Sequence, residues 1–243
     1  MDWHERFRQQ AGWTRPLRDY LFTRAGLKSA QCVLEVGCGT GAVLQELDTL
    51  ATLHGLDIDR DRLAEAHLNT PAACLVQGDA HSLPYAGGTF DITFCHFLLL
   101  WVAEPARALG EMRRVTRQNG AVLAVAEPDY TARQDEPPGL QPLGHWQTQG
   151  LRSMGADPSL GNRLASLFHE AGIHLVESGQ MQPASTARPT PAERELEWAV
   201  LVDDLAGMLP APDLEQFKQL DEAAWQAGTR RLHVPTYFAY GVV

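Results

Sequence analysis

The segment from Val33 to Gly41 constrains the fold of this 243-residue chain more than any other. An apolar run with a single acid, Glu35, breaks into three alternating glycines, Gly37, Gly39 and Gly41, and a helical pattern over residues 41–50 follows. This order predicts a buried strand, a tight turn and a helix N-terminus. Because glycine has no Cβ, such a turn lets the backbone contact a ligand with its N–H groups pointing outward.

Two further apolar runs end in acids that suit a nucleoside. The run 52–56 ends at Asp57, twenty positions after Gly37. In a βαβ unit this carboxylate lies at the tip of the neighbouring strand, where it can accept from both ribose hydroxyls. A third run ends at Asp79, which could accept from an adenine amino group. The spacing of Gly37, Gly39 and Ala42 also satisfies the dinucleotide fingerprint, so a nicotinamide-dependent oxidoreductase remains an alternative.

Strand-like and helical segments alternate through the first half of the chain. We expect strands at 32–36, 52–57, 74–77, 90–95 and 121–126, with helices at 41–50, 61–69 and 105–116. Continuous apolar strands that alternate with helices predict a parallel sheet covered on both faces. Asp59 and Asp61 read as caps of the second of these helices.

The remaining segments predict a cover for this sheet. Residues 1–28 form an amphipathic segment with aromatic residues near helical spacing, in which Pro16 breaks the helix or starts a second one. Residues 127–160 read as a long loop with one helix near 145–154, a length that is usually functional or disordered. A helix at 161–171, a strand at 173–178, two helices within 191–228 divided by Pro210-Ala211-Pro212, and a strand at 236–243 complete a single domain of residues 1–243.

Composition narrows the possible partners. The formal net charge of −10 disfavours a nucleic-acid substrate. No apolar run is long enough to span a bilayer, and the first residues lack the order of a signal peptide. The four scattered cysteines form no CxxC pair, so we expect buried, reduced thiols, no metal site and a cytoplasmic protein. The composition leaves a monomer and a homodimer equally open.

Several motifs in a fixed order carry a family resemblance: residues 34–41, Gly55-Leu56-Asp57-Ile58, Gly78-Asp79-Ala80, and the segments 90–95, 101–105 and 111–120. Over residues 30–127 the chain resembles the class I S-adenosylmethionine-dependent methyltransferases, closest to the ubiquinone/menaquinone and small-molecule group. The resemblance implies an α/β, doubly wound, Rossmann-like fold. Its seven-stranded sheet would be mostly parallel, with an antiparallel last strand. Residues 1–28, 128–160 and 183–232 would form helical lid segments.

The resemblance also implies roles for individual residues toward S-adenosylmethionine. Gly37, Cys38 and Gly39 would touch the methionine portion, and Glu35 its ammonium group. Asp57 would hold the ribose, Ile58 the adenine ring and Asp79 the adenine amino group, with a backbone contact from Ala80. The Cys95 carbonyl would face the methionine end, and the lid candidates are Trp13, Tyr20 and Arg15, with Arg15 near the carboxylate.

The catalytic residues are left open. Displacement at a sulfonium needs mainly alignment and removal of water, and a general base only where the acceptor must lose a proton. The candidates are His145, His96 and Tyr130, with Asp129 and Trp146 nearby, and the apolar run 96–100 suggests a pocket wall. We therefore expect methyl transfer to a small organic acceptor at O, N or C. The alternatives are a protein or tRNA methyltransferase and a non-catalytic nucleoside- or partner-binding module.

Overall fold

The computed structural model describes residues 2–181 and 189–243. The strands of this part are β1 (Cys32–Val36), β2 (Thr52–Asp57), β3 (Cys74–Gln77), β4 (Phe90–Cys95), β5 (Thr116–Pro128), β6 (Gln134–Glu136), β7 (His174–Gln180), β8 (Arg231–His233) and β9 (Thr236–Val242). The helices are α1 (Trp3–Arg24), α2 (Arg60–Asn69), α3 (Pro105–Val115), α4 (Gln141–Ser153), α5 (Leu164–Glu170), α6 (Pro191–Asp204) and α7 (Ala211–Ala227).

The central sheet has seven strands in the order β3-β2-β1-β4-β5-β9-β7. The first five in this order pair in parallel, whereas β9 runs antiparallel to both of its neighbours. The predicted α/β fold, with seven strands and an antiparallel last strand, is confirmed. Because β1 lies between β2 and β4, the order reverses there, and open α/β sheets bind ligands at such a switch point.

Alternating residues of the central strands pack on opposite faces of the sheet. Leu34 and Val36 join one core with α3 and α5, whereas Val33 joins another with α1 and α2. A third, smaller core unites α4, α6 and α7. Helices α4, α6 and α7 therefore pack mainly on one another, and the two-stranded sheet of β6 and β8 connects them to the end of β5.

The helix predicted at 41–50 is wrong. After Gly41, which has a φ of 78°, the chain forms only a single 3-10 turn, Leu44–Glu46, and then extends. Tertiary contacts compete with the helix: Glu46 pairs with α1, and the Lys28 ammonium donates to the Asp48 carboxylate at 2.5 Å. No α-helix N-terminus therefore follows the glycine turn.

Three other expectations need correction. Pro16 does not break α1. It has no N–H to donate to the carbonyl of Gly12, but both residues are exposed, so water can bond to this carbonyl in its place. The long loop is shorter than predicted, since β5 continues to Pro128 and β6 and α4 follow. The four thiols are free, but Cys74 is exposed. Residues 183–188 of the predicted lid segment 183–232 lie outside the described residues.

Candidate functional site

The carboxyl ends of β1, β2 and β3 bring the glycine turn and both aspartates to one edge of the sheet. The amides of Gly37 and Cys38 donate to the Leu56 carbonyl at 2.7 and 3.0 Å. The Gly78 amide donates to the Asp57 carbonyl at 3.0 Å, which sets Asp79 and Ala80 one step further along the same edge. The three elements expected to form the nucleoside slot thus lie at the ends of three adjacent strands.

The turn itself requires glycine for two reasons. Gly37 and Gly39 have φ of 74° and 52°, a region that side chains disfavour. A Cβ on Gly37 would lie 2.6 Å from the Cδ1 atom of Leu98, and one on Gly39 would lie 3.0 Å from the ring of Phe7. The turn is therefore packed closely between the loop after β4 and helix α1.

Asp57 lies at this edge of the sheet, and its side chain also holds the glycine turn. Its carboxylate accepts from the Gly39 amide at 2.7 Å through Oδ2 and from the Asp59 amide at 2.9 Å through Oδ1. Since a carboxylate has about four acceptor positions, each oxygen keeps a lone pair for a ligand. Asp59 caps α2 as predicted, accepting from the amides of Asp61 and Arg62, whereas Asp61 lies within the first turn.

Glu35 is a buried acid with an unused oxygen. Its side chain is almost wholly buried, and Oε2 has no hydrogen-bond partner among the described residues. Burial raises the pKa of Glu35 well above its usual range, while the positive charge of Arg18 lowers it and the negative charge of Asp57 raises it. A buried polar atom left unpaired is costly, so this oxygen suits a donor supplied by a ligand.

The cation whose charge acts on Glu35 is Arg18, a residue that the sequence analysis did not single out. Arg18 is buried, donating to the Thr14 hydroxyl at 3.2 Å, the Ala11 carbonyl at 2.8 Å and the Glu46 carboxylate at 2.5 Å. Arg15 extends into solvent and pairs with the same Glu46 at 2.6 Å. Arg15 and Arg18 both bind Glu46, but only Arg18 acts on the pKa of Glu35.

Helix α1 covers the turn with a largely polar face. His4 Nδ1 lies 2.8 Å from the Thr40 hydroxyl and 3.0 Å from the Asn69 amide, and Thr14 Oγ1 lies 2.9 Å from His96 Nε2. In α1, His4, Phe7, Thr14 and Arg18 are three, seven and four positions apart, a spacing that places them on one face of the helix. Sequence reasoning missed His4, Thr14 and Arg18 because it followed the aromatic residues of this segment.

The aromatic lid candidates lie on other faces of α1. Trp13 stacks on the Arg6 guanidinium, 4.8 Å from the ring centroid. Tyr20 is exposed and donates to the Glu177 carboxylate at 2.9 Å. No contact among the described residues joins Trp13 or Tyr20 to the glycine turn.

Ile58 and Asp79 lie at the open rim of the slot. Ile58 is 69% exposed, which is unusual for so apolar a side chain at a strand end. The Asp79 carboxylate accepts from the His81 amide at 2.8 Å and pairs with its ring at 2.6 Å. These contacts, the backbone hydrogen bond first, lower the pKa of Asp79.

The catalytic candidates are dispersed. Burial, together with the charge of Arg18, lowers the pKa of His96 to about 3, so its imidazole is neutral at physiological pH. Burial raises the pKa of Tyr130, whose phenol is also influenced by Asp204 and Arg6. His145 is exposed on α4, where its ring pairs with Gln149 at 2.7 Å.

Asp129 and Trp146 have structural contacts. Asp129 is buried, accepting from the Thr131 amide at 3.0 Å and from the Asn162 side chain at 2.7 Å. Trp146 packs against the third core, formed by α4, α6 and α7. In the described residues, no group of three or more His, Cys, Asp or Glu side chains could hold a metal ion. None of the described helices is long and apolar enough to cross a membrane.

Comparison with known proteins identifies the family of this chain. The family described as "Methyltransferase domain" matches residues 34–124. A demethylmenaquinone methyltransferase of Renibacterium salmoninarum is 33% identical over 173 residues, covering 71% of this chain and 68% of that protein. A malonyl-[acyl-carrier protein] O-methyltransferase of Erwinia billingiae is 30% identical over 118 residues, 48% of this chain and 47% of that protein.

A solved structure shares the fold across nearly the whole chain. Geranyl diphosphate methyltransferase in complex with S-adenosylmethionine superposes with a TM-score of 0.58 at 10% identity, covering 94% of this chain and 84% of that one. The identity with the demethylmenaquinone methyltransferase, over two thirds of each protein, shows that the chain belongs to the class I S-adenosylmethionine-dependent methyltransferases, whose methyl donor is S-adenosylmethionine. It spans about half the length of the first curated relatives that it matches.

Proposed function

We propose that this chain binds S-adenosylmethionine at the β1–β2–β3 edge and transfers its methyl group to a small organic acceptor. The observation that carries the proposal is the buried Glu35 oxygen beside the glycine turn, which has no hydrogen-bond partner in the part of the chain that the structure describes. An ammonium group is the donor that such an oxygen lacks. Asp57, with a lone pair left on each oxygen, suits a pair of ribose hydroxyls.

The other roles follow from position along the same edge. Arg18 is the buried cation beside Glu35 and would pair with the carboxylate of the cofactor's amino-acid tail. Ile58 would lie against the adenine ring, which would cover an otherwise exposed apolar side chain. Asp79 would accept from the adenine amino group at the rim, next to Ala80.

The bound sulfonium would supply an electrophilic methyl group and a neutral leaving group. The chain's own residues would then align the acceptor and exclude water. We assign these tasks to α1, the segment 128–160 and helices α6 and α7. His96 would act as a neutral hydrogen-bonding group, because an imidazole with a pKa near 3 is a weak general base.

Calorimetry and methyl transfer test the proposal separately. S-adenosylmethionine and its demethylated product, S-adenosylhomocysteine, should both bind to the folded protein at micromolar concentrations. Labelled methyl groups should then reach an acceptor in a panel of quinols, small carboxylic acids, amines and phenols. Absence of binding heat would refute the cofactor site. Binding without transfer to any small acceptor, or transfer only to protein or tRNA, would refute the acceptor class.

A further inference from the structure

The loop that follows β4 is held by one buried carboxylate that no role has yet explained. Glu127, at the end of β5, is completely buried. Its Oε1 accepts from the amides of Leu98 and Leu99 at 2.9 and 3.0 Å, and Oε2 accepts from the Leu100 amide at 3.3 Å. Three successive backbone N–H groups aimed at one anion form a nest that compensates its charge through dipoles.

This loop forms the wall beside the cofactor turn. Phe97 adopts a left-handed φ of 52°, which turns the amides that follow it toward Glu127. Leu98 packs directly on Gly37, and His96 bonds to Thr14 of α1. A shift of the loop would therefore disturb the glycine turn and the covering helix together.

No described cation offsets the charge of Glu127. The Cys95 thiol lies 4.0 Å from Oε1, and Tyr237 of β9 lies opposite Glu127 in the antiparallel pair. Burial raises the pKa of Glu127 to about 7, although the three amides lower it. The three amides therefore offset part of the cost of burying this charge, and they are the groups that the carboxylate holds in place.

We propose that Glu127 is a positioning residue: its carboxylate accepts from three successive amides, holds the loop 96–100 against the glycine turn, and thereby shapes the wall of the cofactor site. The proposal rests on the proposed function only where it concerns cofactor affinity. Holding the loop is a property of the free protein. The two parts can therefore be measured independently.

The first experiment measures the rates of amide hydrogen exchange in residues 96–101 of the cofactor-free protein. Each rate is compared with the intrinsic exchange rate of the same amide in an unstructured chain. In the Glu127→Gln variant the side-chain NH2 group, itself a donor, replaces one of the carboxylate oxygens that accept from the amides of residues 98–100. At least one of these hydrogen bonds is therefore lost. At pH 8 the variant's amides 98–100 should exchange about tenfold faster than in the wild type, a factor expected for loss of a hydrogen bond to a charged acceptor. The matched control is Asp91→Asn, because Asp91 holds the amides of Gln31 and Cys32 at the opposite end of the sheet. This control should leave the exchange of 98–100 unchanged.

The second experiment measures the affinity for S-adenosylhomocysteine at pH 8. Asp91→Asn should bind as tightly as the wild type, whereas Glu127→Gln should bind more weakly because the wall of the site is no longer held. Unchanged protection of 98–100 in Glu127→Gln would overturn the proposal. If that variant does not fold, Glu127→Asp, whose carboxylate is one methylene group shorter, should show the same faster exchange, and unchanged protection there would overturn the proposal too. Failure of S-adenosylhomocysteine to bind at all would refute the proposed function, and hydrogen exchange would still decide the role of Glu127.

Discussion

Replacing Asp57 with alanine removes two kinds of contact at once. In the free protein the carboxylate holds the amides of Gly39 and Asp59, at 2.7 and 2.9 Å. Each such bond contributes about 0.5–1.5 kcal/mol, so the free energy of unfolding should fall by about 1–3 kcal/mol. In the complex the same carboxylate would also lose the ribose hydroxyls, which should cost a further 1–3 kcal/mol or so of binding free energy.

These magnitudes translate into two measurable changes. The dissociation constant for S-adenosylhomocysteine, measured by titration calorimetry, should rise about 5- to 150-fold, since 1.4 kcal/mol is a factor of ten. Denaturant unfolding without ligand should report the loss of stability separately. The temperature of the calorimetry should lie well below the melting temperature of the variant, so that unfolded protein does not lower the apparent affinity.

Asp59→Ala is the matched control, because Asp59 is the next carboxylate along the chain and caps α2. Loss of this cap should lower stability by about 1 kcal/mol. It should leave the affinity for S-adenosylhomocysteine within about twofold, a change of less than 0.5 kcal/mol. The reasoning is refuted if Asp57→Ala binds as tightly as the wild type, or if both variants lose affinity equally.

Three further predictions concern neighbouring positions. Gly37→Ala should lower the free energy of unfolding by about 1–3 kcal/mol, from left-handed strain and the contact with Leu98; an unchanged melting temperature would contradict this. Arg18→Gln should weaken S-adenosylhomocysteine binding about tenfold or more but not that of 5′-deoxy-5′-methylthioadenosine, which lacks the amino-acid tail. Equal losses for both ligands would remove Arg18 from the tail site. Because the pKa of His96 is lowered to about 3, the unfolded chain takes up a proton first as pH falls below about 6.5. The stability of the wild type relative to His96→Gln should therefore drop by about 3 kcal/mol between pH 7 and pH 4, and a constant difference in denaturant titrations would contradict the buried, neutral state.

Local signals explain which elements could be predicted. The runs before Gly37, Asp57 and Asp79 are mostly apolar, and residues that break strands end each of them, so strand ends could be found without tertiary information. The helix predicted over 41–50 failed because helical spacing is only a weak preference in ten residues. Contacts of Glu46 with α1 outweighed it.

Polar residues of the site were harder to find for a different reason. Thr14, Arg18 and Glu127 resemble surface residues in sequence, since such side chains are mostly exposed. Their burial depends on partners distant in the chain: Thr14 meets His96, and Glu127 meets the amides of Leu98 and Leu99. No local pattern encodes these pairs.

The sequence by itself determined the order of strands and turns, and with it the edge where the glycine corner and the two aspartates meet. That information is local, because apolar periodicity and a missing Cβ act within a few residues. Only the tertiary structure decided which face of α1 covers the edge, that Arg18 and not Arg15 lies beside Glu35, and that Glu127 holds the opposite wall. These outcomes depend on which polar groups find partners once water is excluded, and that depends on residues far apart in the chain.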